Sequence, residues 1–409
     1  MIKAFLLFLT FVTLSSANIL QETIDRAPAG ATLKLPKGIY RGNIVINKPL
    51  SLIGTEDNVI IQGEKHGTVV TVNSAQVTLR NLHIRGSGDR MENIDAAIAL
   101  DHVTQCTIDH CNISDSLYGI DMTMVKDSVV SDNYITSRQY TLPLRGDALK
   151  LWYASHNIIR NNTIAYSRDV TLSYSGHNLI AHNTFLHSRY GLHLAMSHAN
   201  RIEHNTFQYN SVGILMMGIK DTNITYNKIL SSNGAAGIGV VADKVSNFHF
   251  EYNSVKYNTK ALYIDTKSVE RGRQRFITHN TISYNGEAFH FHTDIKNNVI
   301  THNRIQGNLE DVIQDIKGSR KKTNIIAYNY WDRYEGFDRD GNHIGDTPHT
   351  VFLYADQLWK YDNKIKFFYA TPIMSVINFL SRIAPFISPV LLLEDSKPLM
   401  TPPEEPIPL

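Results

Sequence analysis

One short phrase recurs through the middle of the chain and constrains its fold more than any other feature: DNYI, NNTI, HNTF, HNTF, YNKI, YNSV, HNTI, HNRI, YNYW. Its Asn residues are Asn133, Asn162, Asn183, Asn205, Asn227, Asn253, Asn280, Asn303 and Asn329, and Cys111 takes the same slot one interval earlier. The nine intervals from 111 to 329 average about 24 residues, a period that belongs to a solenoid. Between slots, alternating β-branched residues, Gly and Asn predict short strands joined by tight turns, with no helix-length amphipathic stretch. The fold class predicted is all-β, a right-handed parallel β-helix of roughly a dozen coils, capped at its N-terminus by the TIDRA region.

Stacking each coil about 4.8 Å above the last turns equivalent residues into columns. The slot Asn residues then form an inward ladder of amides bonded to one another and to the backbone. The residue before each slot points outward, which sets His182 beneath His204 and His279 beneath His302. Such a column is either a stacked surface ladder or a set of metal-binding imidazoles. A second strand aligns Gly119, Gly191 and Gly213. Beyond them Ile120, Met122 and Met124, then Leu192, Leu194 and Met196, then Ile214 and Met216 form an inward apolar stripe. The opposite parity puts His193 and Met217 on one outer face in adjacent coils, with His290 and His292 further along it. A thioether beside an imidazole suits the soft ion Cu(I).

The ends differ from the middle. MIKAFLLFLTFVTLSSA has a lone Lys3, an apolar run, and Ser15 and Ala17 at the −3 and −1 places of a signal-peptidase site. Residues 1–17 are expected to be a cleaved leader, 18–350 the β-helix and 351–409 a docking or capping segment. Within Pro372 to Leu393, Arg382, Pro385 and Pro389 argue against a spanning helix, and a short amphipathic helix from Ile373 to Ala384 is expected instead. So much apolar surface fits a cap or a site for a membrane-embedded partner. Net charge is +2, too balanced for a dedicated nucleic-acid binder. Two cysteines, Cys106 and Cys111, exclude a disulfide scaffold and leave their pairing open. Two basic stretches, Lys267 to Arg275 and Gly318 to Lys322, are solvated loop tips or contacts for anionic lipid headgroups or an acidic partner. Asp338, Asp340, Asn342 and Asp346 alternate as in a calcium loop, although the Gly is displaced from its EF-hand place.

Parallel β-helices can also carry polysaccharide chemistry, which needs placed acids. Asp121, Asp147 and Asp169 fall near the outer face, Arg145 and Arg168 lie beside the last two, and Trp152 and Tyr153 offer rings for a sugar. A polysaccharide lyase, an epimerase or a carbohydrate-binding module is therefore the alternative function.

Three stretches carry a family resemblance: LKLPKGIYRGNIVINKPLSLIG, SRDVTLSYSGHNLIAHNTFLHSRYGLHLAMSHAN and YWDRYEGFDRDGNHIGDTP. Over most of residues 30–350 the chain resembles NosD, the nitrous-oxide reductase maturation family of denitrification. The resemblance implies a periplasmic, non-enzymatic accessory protein. It would work with the membrane subunit of an ABC transporter, a copper chaperone and nitrous-oxide reductase, associating peripherally with the membrane through its partner. Its cargo would be copper, transiently as Cu(I), or sulfur. His193 matches the family's histidine; Ala195 stands where a Met is expected, and Met196 is displaced by one. His193, Met217, Met196, His182 and His204 are thus the copper candidates.

Overall fold

The computed structural model describes residues 6–7, 19–265, 270, 272–315, 323–353, 363–368, 371–383 and 390–404. The predicted leader lies outside these residues except for Leu6–Leu7, as do Gly318 to Lys322 and much of Lys267 to Arg275. Among the described residues, three parallel sheets of 14, 12 and 13 strands run the length of a solenoid. This agrees with the parallel β-helix and coil number expected from the repeat.

Each coil contributes one short strand per sheet, and the strands pair in register with those of the next coil. Ile159, Ile180, Ile202 and Ile224 are consecutive partners, all buried. Such alternation sends one side of each strand into a core that extends along the axis. The corners require left-handed backbone: His182, His204 and Tyr226 have φ of 55°, 55° and 56°. At each such corner the next residue is the slot Asn, whose side chain turns inward. The Asn183 amide donates to Asn205 Oδ1 at 3.0 Å and accepts from the Asn162 amide at 2.9 Å. The same contact links Asn133 to Asn162 and runs on to Asn329.

Cys111 heads this ladder. Its N–H donates to Asn133 Oδ1 and its thiol to the carbonyls of Leu79 and Asp109. Cys106 occupies a different corner, where its N–H meets Ser128 Oγ. Both thiols are free and buried. Burial pushes Cys111 up to about 12 and also raises Cys106, so neither is a reactive thiolate.

Both solenoid ends are closed. At the first, the helix Ile19–Arg26, which contains most of the TIDRA segment, buries Leu20 and Ile24, while the Gln21 amide pairs with the Val45 backbone. At the other, His349–Leu353 and Val390–Asp395 form an antiparallel pair that buries Leu392 and Leu393. The expected boundary at 350/351 falls inside the first of these strands. The C-terminal segment therefore divides into a closing strand and the helix Pro372–Ile383.

One inward column crowds toward the last coil. Register aligns Gly191, Gly213, Gly239, Ala261, Ala288 and Asp311. A Cβ on Gly191 would lie 2.7 Å from the Gly213 carbonyl oxygen. Asp311 is 4% exposed, its Oδ1 has no partner, and Arg333 Nη1 is 3.9 Å from Oδ2. Burial pushes its carboxyl up to about 7. The unfolded chain loses this proton near pH 4 and the folded chain retains it, so stability contributed by the neutral acid declines as pH rises toward 7. Asp311→Ala, which restores the residue of the preceding coil, should stabilise the protein by about 2–4 kcal/mol at pH 8. The gain should fade toward pH 4, as measured by urea denaturation at both pH values.

Candidate functional site

His193 belongs to the strand Tyr190–Ala195 on the outer face of the 12-stranded sheet. It pairs with Leu215, and Ala195 pairs with Met217, so His193 and Met217 are diagonal neighbours on the same face. Strand spacing and rise put their Cα atoms about 8 Å apart, within reach of two long side chains. The imidazole is half-buried against the edge of the Tyr190 ring, with centroids 5.5 Å apart. Its Nε2 is shielded and has no hydrogen-bond partner. Burial lowers its pKa, the Asp169 charge opposes that and Arg189 adds to it, so the ring is held in the neutral form a metal requires. Met217 is 41% exposed.

Met124 and Met196 do not extend the inward stripe. Both are exposed, with φ of 53° and 50°. Strand parity stops at Thr123 and Ala195, and the left-handed turn rotates the next side chain outward. The outcome brings Met196 toward the candidate face. Its N–H donates to the Met217 carbonyl at 2.9 Å, and a Cβ on Gly218 would lie 2.7 Å from its sulfur. Met122 and Met216 are buried, as core fillers should be.

The column before the slot is a continuous stack of rings. His182, His204, Tyr226, Tyr252, His279, His302 and Tyr328 follow one another at 4.9, 5.1, 5.0, 4.8, 4.9 and 5.3 Å between centroids. The rings of His182 and His204 are within 2° of parallel. Their lone pairs therefore lie in separate parallel planes, and gripping one ion between them requires a ring rotation. Among the described residues, Asp109, His110 and Asp132 bring ligand atoms within 4.8 Å of one another, a grouping sequence spacing did not single out. Asp109 is already bonded to Arg80 and Ser131, each at 2.7 Å, so a cation there would compete with a guanidinium.

The acidic loop is occupied by its own backbone. Asp338 accepts from the N–H groups of Gly341, Asn342 and His343, Asp340 from Asn342, and Asp346 from Arg339. Desolvation acts upward on Asp338, yet the His343 amide and its neighbours hold its carboxyl below the usual range.

Asp147 and Asp169 do meet arginines. Asp147 accepts from Arg168 at 2.9 Å and from Thr171 at 3.1 Å; Asp169 accepts from Arg189 and the Tyr190 N–H. Both acids are buried and every carboxylate oxygen is engaged, which leaves neither free for acid–base work. Asp121 is likewise paired, with Lys150 at 3.0 Å. Beside them Trp152 packs edge-on against Tyr153 and Tyr174, which stack on each other at 5.0 Å.

Near the C-terminus, Ile373, Val376, Phe379 and Leu380 of the helix Pro372–Ile383 are exposed, as are Phe367 and Phe368, while Met374 is buried. Among the described residues no helix is long and apolar enough to cross a membrane.

Comparison with known proteins places this geometry in context. The chain is 24% identical over 425 residues to the "Probable ABC transporter binding protein NosD" of Pseudomonas aeruginosa, covering 96% of this chain and 94% of that one. The protein of the same name from Stutzerimonas stutzeri is 24% identical over 408 residues, covering 91% and 87%. The A-module of Azotobacter vinelandii mannuronan C-5 epimerase AlgE6 superposes with a TM-score of 0.53 at 13% identity, over 76% of this chain and 93% of that one, a likeness of fold alone. The family described as "Periplasmic copper-binding protein (NosD)" matches residues 131–336. With half of its length matched by that family, the chain belongs to the NosD family of periplasmic copper-binding proteins.

Proposed function

We propose that this protein is a periplasmic, non-catalytic accessory factor for nitrous-oxide reductase maturation. It is exported under the leader at residues 1–17, takes Cu(I) from a copper chaperone and passes it toward the reductase in partnership with an ABC transporter. The observation that carries this reading is the shielded, unpartnered Nε2 of His193 on the face that also carries Met217 one strand over, with Met196 at the turn that follows its own strand. Imidazole and thioether donors favour Cu(I) over harder ions, and they offer nothing to hold sulfide without a metal. The names of the two relatives support the transporter association. The exposed apolar residues of the C-terminal helix supply a surface for its membrane subunit. The engaged carboxylates of Asp147 and Asp169 weigh against a lyase or epimerase. Calcium at Asp338, Asp340, Asn342 and Asp346 would have to displace the backbone donors, so the loop is read as a turn.

Anaerobic competition with a chromogenic Cu(I) chelator tests the site. Stoichiometric binding should weaken at least about 100-fold in the His193→Ala, Met217→Ala double variant, each lost ligand being worth about 1.4 kcal/mol or more. Unchanged affinity would overturn the assignment. The Trp152–Tyr153–Tyr174 cluster favours one second reading, a carbohydrate-binding β-helix. That reading expects oligouronide binding that disappears in Trp152→Ala.

A further inference from the structure

We infer that Asp169 is a positioning residue for the candidate copper site: with Arg189 and Tyr190 it fixes the β-bulge that turns His193 onto the outer face. This inference rests on the Cu(I) reading of His193 and adds to it the group that sets the aim of the imidazole.

The strand containing His193 carries one residue more than its partner in the preceding coil. Asp169 stands opposite Tyr190 and Thr171 opposite His193, so Gly191 and Leu192 together face Val170. Bulges are rare between parallel strands, and they re-aim the side chains beside them. Continued at the spacing of the Asp169–Tyr190 pair, the ladder would set Leu192 opposite the half-buried Thr171 and His193 opposite Leu172, which lies in the core. A slip of one residue exchanges the two faces of a strand. The inserted residue therefore turns His193 outward and sends Leu192 inward, where it is fully buried.

The bulge is anchored where it begins. In the next coil the residue paired with Tyr190 is Val212, whose N–H donates to the Arg189 carbonyl at 2.9 Å, an ordinary main-chain bond. The Tyr190 N–H donates instead to the side chain of Asp169, at Oδ1 and 3.0 Å. Arg189 completes the clamp, with Nε donating to the same oxygen at 3.0 Å and Nη2 to Oδ2. Its guanidinium lies 4.4 Å from the centroid of the Tyr190 ring, and that ring meets His193 edge-on at 5.5 Å. Asp169 is buried, and these donors compensate a charge that is costly to bury alone. Gly191 leaves the bulge no slack, because a Cβ there would meet the Gly213 carbonyl at 2.7 Å and the Phe207 ring at 2.8 Å. With both of its oxygens engaged, Asp169 acts on the imidazole through the backbone and ring of Tyr190.

A purely structural ion pair would stabilise the coil without governing the imidazole, and measurements on the intact protein separate the two roles. In metal-free protein labelled at His and Tyr, nuclear Overhauser contacts between the Tyr190 and His193 rings should disappear in Asp169→Asn. Anaerobic chelator competition should show Cu(I) binding weakened at least about tenfold in the same variant. Should Asp169→Asn fail to fold, Arg189→Met, at a partly exposed side chain, removes the same clamp and should give both losses. Tyr190→Ala should raise the His193 pKa toward its ordinary value of about 6.5, because burial is the main cause that lowers it, and Tyr190→Phe should restore the lowered value. Ring contacts and Cu(I) affinity unchanged in both Asp169→Asn and Arg189→Met would overturn the positioning role and leave a structural ion pair. Wild-type protein that binds no Cu(I) would overturn the copper reading alone, because the ring contacts and the His193 titration still report whether Asp169 sets the imidazole.

Discussion

Asn183→Ala should lower the free energy of unfolding by about 3–5 kcal/mol, among the largest effects a single truncation can have in this protein. The amide is fully buried and saturated. Its oxygen accepts from the backbone and side-chain amides of Asn162, while its nitrogen donates to Ile159, Ala181 and Asn205. Truncation leaves two Asn162 hydrogens without an acceptor in a place water does not reach, each costing about 1–3 kcal/mol, while Asn205 Oδ1 keeps the residue-183 backbone N–H and loses only the side-chain donor. Asn223→Ala, at an exposed strand position, should change stability by no more than about 0.5 kcal/mol. Urea denaturation measures both. Hydrogen exchange adds a spatial criterion, because coils interact chiefly with their neighbours: the loss of protection should centre on the coils of Asn162, Asn183 and Asn205. An Asn183 variant as stable as Asn223→Ala would mean that the ladder contributes nothing beyond its backbone contacts.

The second large effect concerns the proposed membrane partner. Val376→Asp with Phe379→Asp places two charges on the exposed side of the C-terminal helix. Capture of the transporter's membrane subunit should fall by at least about 100-fold, because a charge driven into an apolar contact costs several kcal/mol. The thermal midpoint and Cu(I) affinity should stay unchanged, since neither residue reaches the solenoid core. Point variants are preferable to removing the segment, because Val390–Asp395 closes the last coil. Wild-type capture by the charged variant would place the docking surface elsewhere.

Stacking explains how much of this molecule is readable from its sequence. A period near 24 residues superposes like on like, so the slot Asn ladder, the ring column through His182 and His204, and the shared face of His193 and Met217 follow from counting. Counting fails where periodicity does. Met124 and Met196 sit one residue past a strand end, where a left-handed turn replaces alternation. The adjacency of Asp147, Arg168 and Asp169 is visible in the sequence, but not that the arginines consume the acids. Glu287, His290 and Asp315 come together because a carboxylate one coil away reaches back, and no local motif marks that. A further ladder, Asn157 to Asn178 to Asn200, was legible in the repeated Asn five residues before each slot and was overshadowed by the stronger phrase.

The last rung has a consequence for the whole protein. Beyond Asn329 the acceptor is Asp395, whose Oδ2 receives the Asn329 amide at 2.8 Å and the Trp331 indole at 3.0 Å. Every amide in the row donates in the same direction, so the row is polar and its hydrogen-bearing end faces this carboxylate. An ionised acid accepts without donating onward. It stabilises the positive end of the row as a carboxylate stabilises a helix N-terminus, and it offers no hydrogen to a further rung. A parallel solenoid with an open final coil is a template on which another copy can grow, and fibres are the result. A single acceptor-only side chain, delivered from 66 residues downstream, gives this one a finite length.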